Sequence, residues 1–497
     1  MNGVTPIPAF DEIPLDWRVP GADLEIRPVY TDMGRVSFPA RGLIIAQKLA
    51  TGSAEAGVLY RLTQPEDGAT LCGAGSIGDA MARAARVANR TSDIFLLALP
   101  DASAAVKATG KIAFTNADGA GALAIYIAGR RVRIVVTTSM TAIQRAEALA
   151  TAINADAGMP VIAAQGDPSD DHEVILTAKH GGEIGNDIDV RVGLLVDERP
   201  PAGLGITITA MASGAGNPDV QDAFDAINEE WFQHIAMPWS DAANLAVAAE
   251  ELRARFTAQG RLDGHAYIGA RGTHAELVTK GEVTNSPHLT IIGAKASPTP
   301  PWIWAATTMA LGLFHLTQDP ARQLGTLRLP GVIAPDAEDR FDDLEQDLLL
   351  RAGISTFTAL SDRSVYLSRV ITTYRESALG TPDAAWLDIN VPATLSRIRY
   401  DWRSFMSLEY PRHKLAENGA VAEAFSRFVA TPRKVKGSWA GRCQIYARQG
   451  WLRNVGVSIA QSTFQIDPNN KNQMLATQRV DVIGNLKRFA GVLEFEA

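Results

Sequence analysis

The sequence predicts a multidomain protein of mixed class: a discontinuous α/β domain interrupted by a β-rich inserted domain, then an α+β C-terminal domain, with extended arms at both ends. Three observations lead there. Apolar strand-like runs alternate with helical stretches in two separate blocks, from Leu24 to about Ala104 and again after Pro218. Between those blocks, Lys111 to about Ala212 is dominated by β-branched runs of period two, with Val132, Ile134 and Val136 set against Arg131, Arg133 and Val135. The two ends carry apolar residues without a helical period.

Residues 1–22 hold Val4, Ile7, Phe10 and Ile13 among prolines and read as an extended N-terminal arm. Residues 23–104 follow as the first part of the α/β domain, with strands at Gly42–Ala46 and Asp93–Leu99 and a helix at Ser76–Val87. The inserted domain, 105–217, contains KIAFT, ALAIYIA, RRVRIVVT, PVIAAQ, HEVILTAKH, NDIDVRVGLLV and LGITITAMA as strands. One helix interrupts them, Thr141–Ala155, and SGAGNP closes the segment as a linker.

The α/β pattern resumes over 218–375. Val220, Phe224, Ile227 and Trp231 form a helical stripe; HIAMPW, HAYIGA and HLTIIG are strands; Asp241–Phe256 and Trp302–Leu316 are helices. Strands and helices alternating on both sides of the insertion imply one sheet built from both blocks. The C-terminal α+β domain, 376–475, starts with a predicted helix over Pro382–Leu408, continues with helices to about Asn454, and ends in STFQIDP and a strand over Met474–Ile483. The remaining segment, 476–497, is a strand-like arm carrying Val480, Val482 and Val492, and it ends with Leu493 and Phe495 alternating against Glu494 and Glu496.

Composition excludes several function classes. The 497 residues are 46% hydrophobic and 21% charged, which suits globular domains with sizeable cores. A net charge of −8 argues against a general nucleic-acid binder, which needs a basic footprint. No apolar run approaches membrane-spanning length and the N-terminus has no signal-peptide pattern, so neither membrane insertion nor secretion is expected. Cys72 and Cys443 are too few for a disulfide framework or a cysteine zinc site and read as buried thiols.

The residue patterns that suggest chemistry are few. Gly73, Gly75 and Gly78 have the G-x-G-x-x-G spacing of a dinucleotide turn, and Asp101 lies about where a ribose ligand should be. The run before Gly73 is short for a buried strand, and packing glycines explain such a turn equally well. Asp170, Asp171, His172 and Glu173 are a dense acidic cluster, but between two strands they read as a solvated hairpin. His234, His265 and His288 each begin a strand, so their imidazoles can meet at one sheet edge; surface or capping roles are the alternative. There is no P-loop and no G-x-S-x-G elbow. Arg433, Lys434, Lys436 and Arg442 make a basic run around Trp439, whose ordinary explanation is a solvated face.

Several segments together carry a family resemblance: RPVYTDMGRVSFPARGLIIAQKL, LTQPEDGATLCGAGSIGDAM, YIAGRRVRIVV, HGGEIGNDIDVRV and ITTYRESALGTPDAAWLDINVPATLSRIRYDWR. In these the chain resembles the contractile tail sheath proteins of Mu-like bacteriophages and related prophages, essentially end to end. The resemblance implies a structural protein and no enzyme, with no cofactor and no metal. It implies stacked six-fold rings around a tail tube, assembled in the bacterial cytoplasm as part of a virion tail, with baseplate and tail-terminator proteins as further partners. It implies packing roles for Gly73, Gly75 and Gly78, arms that add strands to neighbouring subunits, and a tube-facing position for Arg433, Lys434, Lys436 and Arg442. A bacteriocin or injection-system sheath remains an alternative within the family. A nucleotide-dependent oxidoreductase is the alternative outside it, resting only on the glycine turn and Asp101.

Overall fold

The computed structural model describes residues 38–115 and 119–495. Val4, Ile7, Phe10 and Ile13 lie outside the described residues.

The largest sheet has nine strands: β1 (Arg41–Gln47), β2 (Leu59–Leu62), β3 (Asp93–Leu99), and six more from the second block. The segment between supplies β4 (Lys107–Phe114), β5 (Gly121–Ile127), β6 (Arg130–Val136), β7 (Val161–Gln165), β8 (Glu173–Gly181), β9 (Val190–Val192) and β10 (Ile206–Ala212). These form a four-stranded sheet, β10-β4-β8-β7, and a three-stranded one, β6-β5-β9. The α-helix Ala142–Ala155, started by a capping box at Thr141 and Gln144, packs on both. The second block then adds β11 (His234–Met237), β12 (His265–Arg271), β13 (Leu289–Ala294), β14 (Arg328–Ile333), β15 (Ile354–Ala359) and β16 (Ser364–Arg369), giving the order β14-β16-β15-β13-β12-β11-β1-β3-β2.

The inner strands, β3 through β15, run parallel, and the edge strands β2, β16 and β14 are antiparallel. Parallel strands need cover on both faces, so β1, β11, β12 and β13 are apolar and buried almost throughout. The helix Pro301–Gln318 is apolar all round for the same reason, beginning at a proline that gives up no hydrogen bond in the first turn. It sits so close that a Cβ on Gly312 would lie 2.5 Å from the Tyr267 hydroxyl, and one on Gly42 2.8 Å from Leu313 Cδ2. Each large side chain buried here contributes roughly 1.5–3 kcal/mol.

After β16 the chain forms the helix Asn390–Glu409, a short pair β17 (Lys414–Leu415) and β18 (Val429–Ala430), the helix Pro432–Arg448, and the hairpin β19 (Thr463–Asp467) and β20 (Asn470–Thr477). A separate small core of Ile398, Trp439, Cys443, Tyr446, Trp451 and Leu452 holds these together.

Four local expectations are corrected. The helix expected from Pro382 starts only at Asn390, because 371–388 is taken up by bridges from Ile371 to Asp388 and from Glu376 to Pro382. Trp231 falls outside its helix, which stops at Ile227 when Asn228 turns to φ 37°. The run NDIDVRVGLLV contributes only Val190–Val192 as a strand; Gly193 turns at φ 61°, and Val196–Glu198 is a short 3-10 turn. The strand expected over Met474–Ile483 ends at Thr477, and among the described residues no strand follows it.

Candidate functional site

In a parallel sheet of this kind ligands bind beyond the carboxyl ends of the strands, where the chain's winding reverses. Here that point lies between β1 and its neighbours β3 and β11, and the polar side chains nearest it are bonded to one another. Gln47, fully buried at the end of β1, donates from Nε2 to Asp101 Oδ1 and to the Gly181 carbonyl, both at 2.9 Å. Its Oε1 accepts from the Trp239 indole at 3.2 Å. Asp101 also accepts from Gly181 N and His180 Nδ1, each at 2.7 Å. Burial pushes the Asp101 carboxyl up, but its bond to His180 and those to Gly181 and Gln47 outweigh it, and its pKa is lowered. Asp101 therefore belongs to a closed hydrogen-bond network, not to a ribose site.

The amides of the glycine turn are engaged in the same way. A helix, Asp67–Cys72, precedes Gly73 where the dinucleotide turn requires a strand. The N-terminus of the next helix, Ile77–Ala88, would present free amides to a phosphate, yet Ile77 N donates to His180 Nε2 at 3.3 Å and Asp79 N to Ser76 Oγ at 2.9 Å. Because Nε2 accepts, the His180 proton sits on Nδ1, facing Asp101. Gly73 and Gly75 adopt φ 88° and 75°. A Cβ on Gly75 would come within 2.3 Å of the Met159 carbonyl, and one on Gly78 within 2.4 Å of Cys72 Sγ. The segment between β3 and β11 thus lies directly on the turn.

The acidic cluster after Pro168 sits in the β7–β8 hairpin, where Glu173 pairs with Lys111 at 2.8 Å. Among the described residues no group of three or more His, Cys, Asp or Glu side chains is placed to hold a metal, and no helix is long and apolar enough to cross a membrane. Cys72 and Cys443 are free and buried; burial raises Cys72 to about 12 and Cys443 to about 11. His234, His265 and His288 do gather at one sheet edge, all buried.

The basic run divides. Arg433 is exposed and pairs with Glu423 at 3.3 Å; Lys434 is half-buried and donates to the Val429 carbonyl at 3.1 Å; Lys436 is half-buried. Arg442 is a different case, since its guanidinium is bidentate to Asp401 and also stacks over Phe405 and Tyr446. Burial opposes its charge, the bonds to Asp401 and Tyr446 more than offset that, and its pKa is raised. Arg442 is consumed inside its own domain and offers no surface to a partner.

The last segment divides too. Val480 packs against the small core and Val482 bridges Leu452, so both lie on their own chain. Asn485 accepts from Gln323 N at 3.2 Å, and Lys487 forms an ion pair with Asp388. Beyond Lys487 the picture changes: Phe489, Val492, Leu493 and Phe495 are 85%, 87%, 96% and 86% exposed. The β19–β20 hairpin is a sheet of only two strands. Sequence reasoning missed the docked stretch 478–487, whose anchors Gln323, Asp388, Trp451 and Ser458 are distant in sequence.

A chain from Haemophilus influenzae, described as the Mu-like prophage FluMu tail sheath protein, is 34% identical over 412 residues, covering 83% of this chain and 84% of the relative. This chain belongs to the phage tail sheath family. A profile of the phage tail sheath protein central domain matches residues 213–373 of this sheath protein, which spans β11 through β16. Solved structures of similar outline include sheath tail proteins from Listeria innocua (10% identity, 91% of this chain and 94% of that chain, TM-score 0.47) and Desulfitobacterium hafniense (14%, 93% and 99%, 0.46). The assignment rests on the Haemophilus relative. It makes this sheath protein a structural component of a phage-type tail sheath.

Proposed function

We propose that this sheath protein polymerises as stacked hexameric rings around a tail tube and contracts to drive that tube through a host envelope. The observation that carries this reading is the exposed apolar segment after Lys487, in a domain that also holds a hairpin with unpaired edges. An apolar strand left without a partner is a hazard unless another copy covers it, and strand addition gives main-chain bonds that persist while subunits rotate. We place the arm contact at Val492, Leu493 and Phe495, joined by Val4, Ile7, Phe10 and Ile13 from the N-terminal arm; Val480 and Val482 act as its anchor.

Surface charge suits the tube side, because charged contacts are reversible and screened by salt. Arg433, Lys434 and Lys436 are the tube-facing residues under this reading. The rigid bodies that move are the α/β domain 23–104 with 218–375, the inserted domain 105–217 and the C-terminal domain 376–475. Work comes from free energy stored at assembly, with baseplate proteins as the trigger and a terminator capping the stack.

Negative-stain electron microscopy of the purified protein mixed with its cognate tube protein tests this. Six-fold cylinders of two lengths, one long and narrow and one short and wide, are expected. A protein that stays monomeric at high concentration with tube present contradicts it.

A further inference from the structure

The three strand-entry histidines share a place that the family assignment does not explain. His234 and His265 are register partners on the adjacent parallel strands β11 and β12, and His288 stands immediately before β13. All three line one cavity of about 50 Å³, room for a few waters, between the sheet edge and the helix Asn390–Glu409, which contributes Pro392, Ser396 and Arg397 to the opposite wall. The helix is therefore the lid of a histidine-lined chamber.

The imidazoles are bonded as neutral groups. His234 Nδ1 meets the Tyr267 hydroxyl at 2.9 Å, His265 Nε2 meets Thr290 Oγ1 at 2.8 Å, and the His288 ring lies against Phe256 with centroids 4.4 Å apart. The charges facing them are unfavourable to further cations. Arg397 lines the chamber; Arg399, on the same helix, is paired with Asp263, donates to the Phe256 carbonyl at 2.8 Å and lies over the Phe256 ring. Among the described residues Asp263 is the one carboxylate on the chamber wall, and it is already engaged by Arg399.

We propose that His234, His265 and His288 form an acid-sensitive latch that holds the helix Asn390–Glu409 on the sheet at neutral pH and releases it as the pH falls. Protonating any of them places a cation in a closed chamber that already holds another imidazole and an arginine. Opening the chamber hydrates all three at once, so release takes up protons cooperatively. Burial holds His234 down to about 3 and His288 to about 4, and burial with the two neighbouring imidazoles holds His265 well below its ordinary value. The sign follows: the open state binds protons below about pH 6.5 and the closed state does not, so closure is fully favoured above that pH and weakens as the pH falls toward about 4.

Hydrogen exchange of the full-length protein from pH 7 to pH 5, corrected for intrinsic rates and read on peptides spanning Asn390–Glu409, measures the opening constant. Three imidazoles predict a rise approaching a thousandfold per pH unit below about pH 6, against about tenfold for one. His288→Gln and His265→Gln should each remove about tenfold of that dependence, while peptides from β4 and β8 keep the same exchange in all proteins. An opening constant independent of pH in the unmodified protein overturns the latch, and this arm needs no variant to fold. An unchanged slope in both variants overturns it as well.

Discussion

The sheet body and the region after Glu376 solve the same folding problem in opposite ways. In the sheet body even polar positions are spent inward: Gln47 and Trp239 plug the crevice, and His180 caps a helix that begins in another part of the chain. Among the described residues, every strongly exposed phenylalanine lies in the later region, at Phe425, Phe428, Phe489 and Phe495. Its own core is a handful of aromatics around Trp439 and Tyr446. The difference teaches that interior pairing and exposed apolar surface are separately encoded: one region spends its polar groups on one another, and the other leaves Phe425, Phe489, Leu493 and Phe495 in the open, the surface that the proposed function assigns to another chain.

The contrast can be broken from the finished side first. Gly75→Val should destabilise the sheet body most, since a branched side chain would need φ 75° and would strike the Met159 carbonyl. A loss of roughly 3 kcal/mol or more is expected, read as a lower unfolding midpoint in denaturant. Gly75→Ala should cost about 1–3 kcal/mol by the same measurement.

Arg442→Ala comes next. It leaves Asp401 half-paired beside Tyr446, a cost of about 3 kcal/mol, and should unfold the small core while leaving the sheet body's transition in place. Two resolved transitions in calorimetry, only the smaller one shifted, check this.

Asp101→Asn removes the charge that His180 Nδ1–H and Gly181 N–H point at, and should cost about 1–3 kcal/mol at pH 7. Because the Asp101 carboxyl is held below its ordinary value in the folded state, its contribution is present above about pH 4 and disappears as the pH falls through the lowered value. The variant and the unmodified protein should therefore converge in stability as the pH falls below the ordinary carboxylate range, measured by urea unfolding.

The smallest effect belongs to Lys436→Glu. It should leave stability within about 0.5 kcal/mol and weaken tube co-sedimentation only at low salt, because an exposed charge contact is screened.

Element types in the sheet body were legible because burial on both faces writes itself into the sequence: GLIIA, HAYIGA and HLTIIG are apolar at nearly every position, which only a covered parallel strand needs. The histidine edge was legible for a related reason, since each histidine marks the residue where a strand enters the sheet. What sequence could not supply was who meets whom. Arg442 looks like its basic neighbours Arg433 and Lys436 until Asp401, on another helix, is brought to it. Val480 and Val482 flank a polar residue just as Leu493 and Phe495 do, and only the contacts of Arg453 with Asp481 and of Lys487 with Asp388 show where docking stops. Trp231 satisfied a helical period yet sits past a chain reversal, where its indole donates to the Asp263 carbonyl and packs with Phe38 and Tyr400.

The central claim is that apolar surface after Lys487 belongs to another copy. Cutting after Leu475 would confound it, because that also removes the end of β20 and the docked stretch 478–487. The direct measurement is a chain truncated after Lys487, compared with the full chain by thermal unfolding and by electron microscopy of cylinders. The account predicts an unfolding curve close to that of the full chain and no cylinders. Cylinders that still form, or a monomer that unfolds well below the full chain, would contradict it.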